Sequence, residues 1–507
     1  MVSHRPGYGA VSALAWQPTG NYREAMSTDD APDTDARPAA PSATAQARQQ
    51  AALTVAGARE FYDSGATRSI NARLTMLATL DKALRIQRQN LLDAVYRDLR
   101  KNPTEATLTE LGVLHQEIAH VRKHLKRWAT PRSFSPGITL APASGRLQHE
   151  PYGVALVISP WNYPVSLSLA PVVAAIAAGN AVVLKPSELA PATSAALAHL
   201  VRTHLDPNWV QVVEGGVDET TALLEERFDI ILYTGNGRVG RIVARAAAEH
   251  LTPTILELGG KSPVFVDDDV DLATAARIIA WGKFTNAGQT CVAPDYVLAR
   301  PETLDRLEPH LRRAVRELYG KDPRRSHDYG RIINERHFDR VLGLMDPARC
   351  TVGGPETAAR SELYIPPTVM VDVDLSDAVM DEEIFGPVLP LLAVDGPDDA
   401  IRMIRAGEKP LTAYVFSGSP EVEEAFAQRT SSGSLAFGLT LAHVGSTTMP
   451  FGGVGESGMG AYHGRAGFEA FGHRKPVVSK PVRLTTLSMV FPPYGPLKRR
   501  LIPRLFR

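Results

Sequence analysis

The sequence predicts an α/β protein built around a doubly wound, Rossmann-like parallel sheet. From about Gly153 onward, short apolar segments rich in β-branched residues alternate with segments of helical periodicity. The predicted strands cover residues 154–158, 181–184, 210–213, 230–233 and 254–256, and the predicted helices cover about 167–178, 192–204, 219–227 and 238–250. Strands that are apolar on both faces and alternate with helices are typical of a parallel sheet covered on both sides. Ligands of such sheets bind at the carboxyl ends of the strands.

Before this sheet, the sequence predicts an unfolded N-terminal extension followed by helices. Residues 27–50 contain almost no large apolar side chain, so they cannot bury enough surface to offset their ordering entropy. We therefore expect a disordered N-terminal extension over residues 1–55, in which Met26 is an alternative start to Met1. Apolar residues at helical spacing predict helices at about 70–99 and 105–128, and several prolines and glycines predict a loop and hairpin over 132–150.

A second α/β region is predicted from about residue 258 to residue 435. Its strand candidates cover residues 263–266, 296–298, 368–371, 389–392 and 413–416, with a helix at 270–287. The remaining tail, 436–507, is rich in glycine and proline and ends in a basic cluster. The length of the chain and this pattern predict two to four domains.

Composition excludes several classes of protein. The chain carries 55 Lys and Arg residues against 55 Asp and Glu residues, so it lacks the basic excess of nucleic-acid-binding proteins. Two cysteines, Cys291 and Cys350, are too few for a disulfide framework or a structural zinc site. The N-terminus lacks the apolar core of a signal peptide, and no run of eighteen apolar residues predicts a transmembrane helix. We therefore expect a cytoplasmic protein that binds neither nucleic acid nor metal.

Three residues at or near predicted strand ends are candidates for catalysis. Cys291 follows a Gly-Gln-Thr turn whose N–H groups can stabilise a thiolate, although a buried structural cysteine is the alternative. Glu257 ends an apolar strand before two glycines, where desolvation suits a carboxylate to general-base work. A strand-end cap or salt-bridge partner is the alternative for this residue. Asn162 lies in a proline-bounded loop and can donate its amide N–H to an oxyanion, or simply serve the turn.

Two further segments are candidates for binding a nucleotide. Lys185 and Glu188 follow the second strand, where an acid can accept from ribose hydroxyls and a lysine can contact ribose or phosphate. A helix start capped by Ser187 is the alternative. Gly235 and Gly240 lie in a strand-to-helix turn, where glycines permit close approach to a phosphate. The alternative is that these glycines serve only the backbone of the strand-to-helix turn.

Together these residues resemble the aldehyde dehydrogenase superfamily, and most closely its class 3 branch, which includes the bacterial coniferyl-aldehyde dehydrogenases. The most specific matches are residues 256–263, 280–295, 382–388 and 450–460, and the resemblance covers about residues 58–480. It implies that Cys291 is the nucleophile that forms a thiohemiacetal and then a thioester. It also implies that Glu257 activates water for hydrolysis of the thioester, and that Asn162 and the backbone N–H of Cys291 form the oxyanion hole.

The resemblance also implies an NAD cofactor, with NADP as an alternative. Lys185 and Glu188 match the contacts to the adenosine ribose, and Glu383 and Phe385 match the contacts to the nicotinamide ribose. Gly235 and Gly240 match the turn that lies under the pyrophosphate. A carboxylate at the adenosine ribose should repel a 2′-phosphate, yet class 3 relatives with an acid at this position often accept both cofactors.

The domain organisation follows from the same resemblance. It implies an NAD(P)-binding domain over 56–131 and 151–256, followed by a catalytic domain over 257–435. A small oligomerisation hairpin is expected from 132–150 together with part of the tail, 436–507, and the protein is expected to form a homodimer.

The substrate implied by the resemblance is an aromatic, coniferyl-type aldehyde or a medium-chain aliphatic aldehyde. Tyr163 and Trp281 match positions that line the class 3 substrate tunnel, although a packing role for both is the alternative. One segment departs from the class 3 pattern, because Gly438 and Leu439 stand where Asn-Asp is usual. This departure puts the substrate range in question and leaves the thiol chemistry untouched.

The carboxylate of Glu257 implies a free acid as the product, because relatives that pass the acyl group to coenzyme A or phosphate generally lack it. A coenzyme-A-acylating enzyme and a catalytically silent binding or structural protein on the same fold are the alternatives. The end of the tail, from Phe491 onward, resembles the coniferyl-aldehyde subgroup. Its basic, partly apolar character suits contact with an anionic membrane surface, and a solvated basic tail is the alternative.

Overall fold

The computed structural model of the protein describes residues 42–137, 140–483, 487–489 and 491–505. The α-helices are α1 (Ala43–Asp63), α2 (Ile70–Ile86), α3 (Arg88–Leu99), α4 (Pro103–Ala106), α5 (Val113–Ala129), α6 (Ser166–Ala178), α7 (Pro191–His204), α8 (Val217–Glu225), α9 (Gly237–Glu249), α10 (Leu272–Phe284), α11 (Pro301–Tyr319), α12 (Glu335–Leu342), α13 (Ala378–Asp381), α14 (Pro397–Ala406), α15 (Pro420–Arg429), α16 (Gly464–Ala470) and α17 (Pro496–Leu505). No helix within this part of the chain combines the length and the apolar character that crossing a bilayer requires.

The strands form three sheets. They are β1 (Arg132–Phe134), β2 (Ser144–Pro151), β3 (Val154–Ile158), β4 (Ala181–Lys185), β5 (Val210–Val212), β6 (Ile230–Thr234), β7 (Thr254–Glu257), β8 (Pro263–Val266), β9 (Tyr296–Ala299), β10 (Cys350–Val352), β11 (Thr368–Met370), β12 (Val388–Ala393), β13 (Thr412–Phe416), β14 (Ser434–Phe437), β15 (Gly458–Met459) and β16 (Gly472–Ser479). Each sheet collects strands that are distant in sequence, so residues far apart in the chain meet at the sheet edges.

The first sheet has the strand order β15-β7-β6-β3-β4-β5. Strands β3 to β7 are parallel and β15 pairs antiparallel with β7, which confirms the predicted doubly wound arrangement. Alternate side chains of β3 enter different cores: Ala155 and Val157 face one, and Val154 and Leu156 face the other. The strand order reverses between β3 and β6, so the crevice for a ligand is expected beyond their carboxyl ends.

The second sheet has the order β10-β11-β12-β9-β8-β13-β14, and all neighbours are parallel except β10 with β11. The five strands predicted from the sequence are present. The edge strands β10 and β14 were not predicted, because both are short and mostly half-buried and therefore lack a continuous apolar signal. The helix predicted at 270–287 ends at Phe284, where a 3-10 turn over Thr285–Gly288 begins.

The third sheet is a small antiparallel one with the order β1-β2-β16. Strands β2 and β16 pair along their whole length, from Ser144 opposite Ser479 to Pro151 opposite Gly472. The part of the tail that joins this sheet is β16, whereas the boundary drawn at residue 435 falls inside β14. Residues 436–471 complete the other sheets through β14 and β15, and Phe468 on α16 is buried in the core of the first sheet. These residues are rich in glycine and contain few large apolar side chains, so their sequence shows no clear helix or strand pattern.

The predicted disorder is wrong for residues 43–55, which belong to α1; residues 1–41 lie outside the described residues. Helix α1 buries small side chains, such as Ala47, Ala51 and Ala58, and packs on α8 and β4. Arg48 also donates two hydrogen bonds to Glu225, at 2.7 and 2.8 Å. Alanine has the highest helix propensity and permits close packing, so a helix forms here without large apolar residues.

Both predicted N-terminal helices are interrupted. The segment 70–99 consists of α2 and α3, which meet at Gln87. The segment 105–128 contains a π-helical turn over Thr107–Gly112 between α4 and α5. Single π-turns inside helices are frequent at functional sites, and this turn lies beside the loop that carries Asn162.

Candidate active site

The loop that carries Cys291 has an unusual and firmly anchored backbone. Three consecutive residues, Asn286, Ala287 and Gly288, have positive φ angles of 52°, 52° and 74°. For a residue other than glycine this conformation costs about 1–3 kcal/mol, so surrounding contacts must maintain it. Gln289 provides them: its Nε2 donates to the carbonyls of Asn286 (3.0 Å) and Arg331 (2.9 Å), and its Oε1 accepts from the Ile333 N–H (2.9 Å).

The thiol of Cys291 is free and lies in a low-dielectric setting. Burial raises its pKa, and the nearby carboxyl groups of Glu383 and Glu257 raise it further. The backbone N–H groups of Cys291 and Val292 act in the opposite direction, because they stabilise negative charge on sulfur. The resting group is therefore a thiol whose activation requires loss of a proton. The same N–H groups can stabilise an oxyanion formed on a bound carbonyl.

Glu257 ends β7, and its main chain is fixed on both sides. Its carbonyl accepts from the Gly235 N–H at 3.0 Å, and the residue pairs with Gly458 of β15. The side chain is only 3% exposed, and neither carboxylate oxygen has a hydrogen-bond partner among the described residues. Burial alone raises the pKa of this carboxyl well above its usual range. These observations contradict the alternative of a cap or a salt-bridge partner and fit a proton acceptor.

Asn162 is buried in the loop between β3 and α6, and its amide is tied to the cysteine loop. Its Nδ2 donates to the Gln289 carbonyl at 3.0 Å, two residues before Cys291. Its own carbonyl accepts from Asn286 Nδ2 at 2.9 Å and from Lys101 Nζ at 3.1 Å. An amide nitrogen has two hydrogens, so one N–H remains for a ligand. The structure thus brings Asn162, Cys291 and Glu257 together as predicted from the sequence.

The two predicted substrate residues differ in their surroundings. Tyr163 is buried, and its hydroxyl shares a hydrogen bond of 2.7 Å with Thr290 Oγ1, next to the nucleophile. Lys101 Nζ lies 4.0 Å from the centre of the Tyr163 ring. Trp281 is half-buried on α10, and its carbonyl accepts from Thr285. Tyr163 therefore contacts the residue that precedes Cys291, and substrate contacts for both Tyr163 and Trp281 stay predictions.

Lys185 and Glu188 lie together at the carboxyl end of β4. Lys185 Nζ donates to the Pro186 carbonyl at 2.8 Å and is 3.6 Å from the carboxylate of Glu188. Burial lowers the pKa of Lys185, and the carboxylate beside it opposes that shift. The Lys185 side chain is almost fully buried, whereas that of Glu188 is 45% exposed. An exposed acceptor beside a buried cation suits a ribose that carries hydroxyl groups.

The two glycines predicted for the pyrophosphate turn have different structural reasons. Gly235 follows β6, and a Cβ there would lie 2.6 Å from the Tyr233 ring. It leads into α9, which begins at Gly237. Asn236 Oδ1 accepts from the Val239 N–H, and the N–H groups at the start of the helix can receive an anion. Gly240 lies within α9, and a Cβ there would lie 2.8 Å from Leu258 Cδ2. Gly240 is therefore needed for close packing of the helix, and its part in phosphate binding stays a prediction.

Glu383 and Phe385 lie where the second sheet faces the first. The carboxyl group of Glu383 lies against Gly259 and interacts with the Gly260 N–H. Burial raises its pKa to about 8, with a further contribution from Asp295. Phe385 has a φ of 47° and packs edge-to-face on Trp161, with ring centroids 5.3 Å apart. The acidic group and the strained aromatic position fit residues that close around a nicotinamide ribose.

Sequence reasoning missed several residues of the site. The hydroxyl of Tyr462 is buried without a hydrogen-bond partner in the described part of the chain, and its pKa is raised by burial and by Glu257 and Cys291. Lys101 contacts the carbonyl of Asn162 and pairs with a second buried charge on the π-turn. Gln289 belongs to the Gly-Gln-Thr segment, so that motif could have identified it. Lys101 and Tyr462 carry no local signal, because only the fold brings them here.

Comparisons with known proteins agree with this geometry. A model of the aldehyde dehydrogenase family matches residues 30–477. The chain is 46% identical over 427 residues to the dimeric, NADP-preferring aldehyde dehydrogenase of Rattus norvegicus, covering 84% of this chain and 94% of that one. It is 44% identical over 461 residues to aldehyde dehydrogenase family 3 member H1 of Arabidopsis thaliana, covering 90% and 95%. The substrate-bound state of AldH from Staphylococcus aureus superimposes with a TM-score of 0.87 at 39% identity, covering 90% and 99%.

Proposed function

Because the chain belongs to the aldehyde dehydrogenase family and is therefore an NAD(P)-dependent aldehyde oxidoreductase, we propose that Cys291, Asn162 and Glu257 convert an aldehyde to the free carboxylic acid. The observation that carries this proposal is the state of Glu257. Its carboxyl group is buried without a hydrogen-bond or ion-pair partner in the described residues, and it is close enough to raise the pKa of the Cys291 thiol. A buried carboxylate without a structural partner is suited to take a proton during a reaction.

The first step is attack by sulfur on the aldehyde. The Cys291 thiol releases its proton to solvent, the sulfur forms a bond to the carbonyl carbon, and the carbonyl π electrons move to oxygen. The free N–H of Asn162 Nδ2 and the backbone N–H of Cys291 stabilise the resulting alkoxide. Both the thiol and the carboxyl of Glu257 have raised pKa values, so we expect turnover to increase with pH.

NAD(P), when bound, would supply a hydride acceptor, and loss of hydride from the tetrahedral carbon leaves the acyl group on Cys291 as a thioester. Lys185 and Glu188 would hold the adenosine ribose, and the N-terminus of α9 after Gly235 would hold the pyrophosphate. Glu383 would hold the nicotinamide ribose. The exposed carboxylate of Glu188 disfavours a 2′-phosphate and the buried ammonium of Lys185 attracts one, which supports use of both cofactors. The rat relative is described as NADP-preferring.

Hydrolysis of the thioester completes the reaction. Glu257 removes a proton from water, the hydroxide oxygen bonds to the acyl carbon, and the carbon–sulfur bond breaks. The products are the carboxylic acid and the Cys291 thiolate. A coenzyme-A-acylating enzyme would need no carboxylate at this position, so the buried side chain of Glu257 supports water as the acyl acceptor.

An aromatic, coniferyl-type or medium-chain aliphatic aldehyde is the proposed substrate. Tyr163 provides an aromatic wall directly beside Thr290 and Cys291, and the half-buried Trp281 is the second aromatic candidate. Gly438 is exposed with a φ of 66°, and Leu439 packs partly against the core of the second sheet. An apolar group in place of the usual acid favours uncharged substrates.

The assembly and location of the protein belong to the same proposal. The rat relative is described as dimeric, and the small sheet β1-β2-β16 is the surface we propose for a homodimer. Helix α17 carries Lys498, Arg499 and Arg500 next to the exposed Phe491, a composition that suits contact with an anionic membrane surface. Both cysteines are free thiols, which supports a reducing, cytoplasmic setting.

The test is a steady-state and product assay over a panel of aromatic and aliphatic aldehydes with each cofactor. We expect an increase in absorbance at 340 nm and formation of the free acid at a rate independent of coenzyme A. An acyl-coenzyme A product would contradict the hydrolytic role of Glu257. Failure to reduce either cofactor with every aldehyde would contradict the proposed chemistry as a whole.

A further inference from the structure

A fully buried ion pair lies beneath the loop that carries Asn162. Lys101, just before α4, and Glu110, on the π-turn, are 0% and 1% exposed, and their Nζ and Oε1 atoms are 2.7 Å apart. Neither residue belongs to the catalytic or cofactor groups assigned above. Charged side chains this deeply buried are uncommon, so their contacts indicate what they do.

Both charges also bind the backbone of the same short loop. Lys101 Nζ donates to the carbonyl of Asn162 at 3.1 Å. Glu110 Oε2 accepts from the N–H groups of Val165 and Ser166, both at 3.0 Å, at the start of α6. The pair therefore holds the loop at two points, one at Asn162 itself and one three residues later.

Stability alone is a poor explanation for this pair. Removing two charges from water costs several kcal/mol per ion, and replacing a buried pair by apolar residues is often neutral or stabilising. A geometric role explains the contacts better, because the two ends of the pair fix the peptide that carries the oxyanion-binding amide. The π-turn over Thr107–Gly112 contributes to this geometry, since Glu110 reaches the α6 amides from it.

We propose that Lys101 and Glu110 are positioning residues that hold the side-chain amide of Asn162 in place for the oxyanion. The inference rests on the proposed role of Asn162 in the reaction. Asn286 Nδ2 also donates to the Asn162 carbonyl, at 2.9 Å, and the same nitrogen donates to the Gln289 carbonyl. Loss of Lys101 would leave the loop dependent on this shared contact.

The experiment begins with Lys101→Met and with the double variant Lys101→Met/Glu110→Gln. The double variant leaves neither member of the ion pair as an unpaired charge and keeps a side-chain oxygen for the α6 amides, so it can fold even where the single variant cannot. The carboxyl of Glu105, which also interacts with Lys101, is unchanged in both variants. We expect the rate of the first burst of absorbance at 340 nm to fall about 10- to 100-fold, as for a misplaced catalytic group. The dissociation constant for NAD should change less than about threefold, because the pair contacts no nucleotide residue.

Arg73→Met is the matched control. Arg73 is another buried cation, and it donates to the carbonyl of Ala177 at the opposite end of α6 and to that of Thr67. We expect this variant to lower the unfolding temperature while the burst rate stays within about twofold of the wild type. An equal loss of burst rate in Arg73→Met would assign the effect of Lys101→Met to general destabilisation and overturn the inference.

A double-mutant cycle with Asn162→Ala separates the inference from the function it rests on. If Lys101 acts through Asn162, adding Lys101→Met to Asn162→Ala should slow the burst less than about threefold further. Multiplicative losses would overturn the positioning role and leave the oxyanion role intact. An Asn162→Ala variant with a normal burst rate would instead contradict the proposed function of Asn162.

Discussion

Replacement of Glu257 by glutamine gives the sharpest test of the chemistry, because the structure separates chemical from structural effects. Glu257 is buried, and neither oxygen makes a hydrogen bond or an ion pair with a described residue. Glutamine has nearly the same shape as glutamate, so the substitution removes no hydrogen bond and no ion pair between described residues. We therefore expect the unfolding temperature of Glu257→Gln to equal or exceed that of the wild type, so that any kinetic loss is chemical.

The expected kinetic loss lies in the second half of the reaction. General-base catalysis contributes about 10²- to 10⁴-fold, which corresponds to a rise of about 3–5 kcal/mol in the barrier to thioester hydrolysis. Formation of the thioester precedes that step, so a burst of one cofactor reduced per active site should remain.

Stopped-flow absorbance at 340 nm measures both phases, and Glu383→Gln is the matched control. Glu383 also raises the pKa of the Cys291 thiol, and its own pKa is raised to about 8, so it is the other carboxyl able to act as the base. We expect Glu383→Gln to weaken cofactor binding while the thioester hydrolyses at the normal rate. The assignment fails if Glu257→Gln turns over normally, or if slow hydrolysis appears in Glu383→Gln instead.

Three further predictions follow from single contacts. Cys291→Ala should abolish turnover and leave the NAD dissociation constant within about twofold in a fluorescence titration; measurable turnover would contradict the assignment. Glu188→Gln should raise the ratio of kcat/KM with NADP to kcat/KM with NAD by about fivefold, since a half-exposed carboxylate repels a phosphate by about 1 kcal/mol. An unchanged ratio would contradict the assignment of Glu188 to the ribose site. Burial raises the pKa of Glu117 from 4.5 to about 7, so the contribution of this group to stability is lost as pH rises through that interval. Glu117→Gln keeps the acceptor for the Gly464 N–H, and it should add about 3 kcal/mol to the free energy of unfolding at pH 8 with little effect near pH 4.5. Equal changes at both pH values would refute burial as the cause.

Periodicity predicted the parts of the fold whose strands are buried on both faces. Strands such as β3 and β4 are continuous apolar runs, and their bounds agree with the prediction within one residue. The failures lie where a periodic run of large apolar residues is absent. Helix α1 buries mainly alanines together with Val55, and the one large buried side chain of α16 is Phe468, which lies in a glycine-rich segment.

The site was predictable wherever a functional residue lies at the end of a strand or within a distinctive turn. Asn162, Glu257 and Cys291 come from three such places, and the structure brings them together. The supporting residues could not be found in this way. Lys101 and Glu110 look like ordinary charges of amphipathic helices, and only the π-turn and the tertiary fold direct them inward.

Several buried polar atoms near Cys291 have no hydrogen-bond partner. In the part of the chain that the structure describes, they include both carboxylate oxygens of Glu257, the Tyr462 hydroxyl and Asn286 Oδ1. Each unsatisfied group costs about 1–3 kcal/mol, and such costs are tolerated where a ligand or a reacting atom completes the contacts. Glu257 and Cys291 both raise the pKa of the Tyr462 hydroxyl, so this hydroxyl belongs to the same group of buried polar side chains. The unsatisfied atoms of Glu257 and Tyr462 are thus coupled to the sulfur that the sequence motif marks.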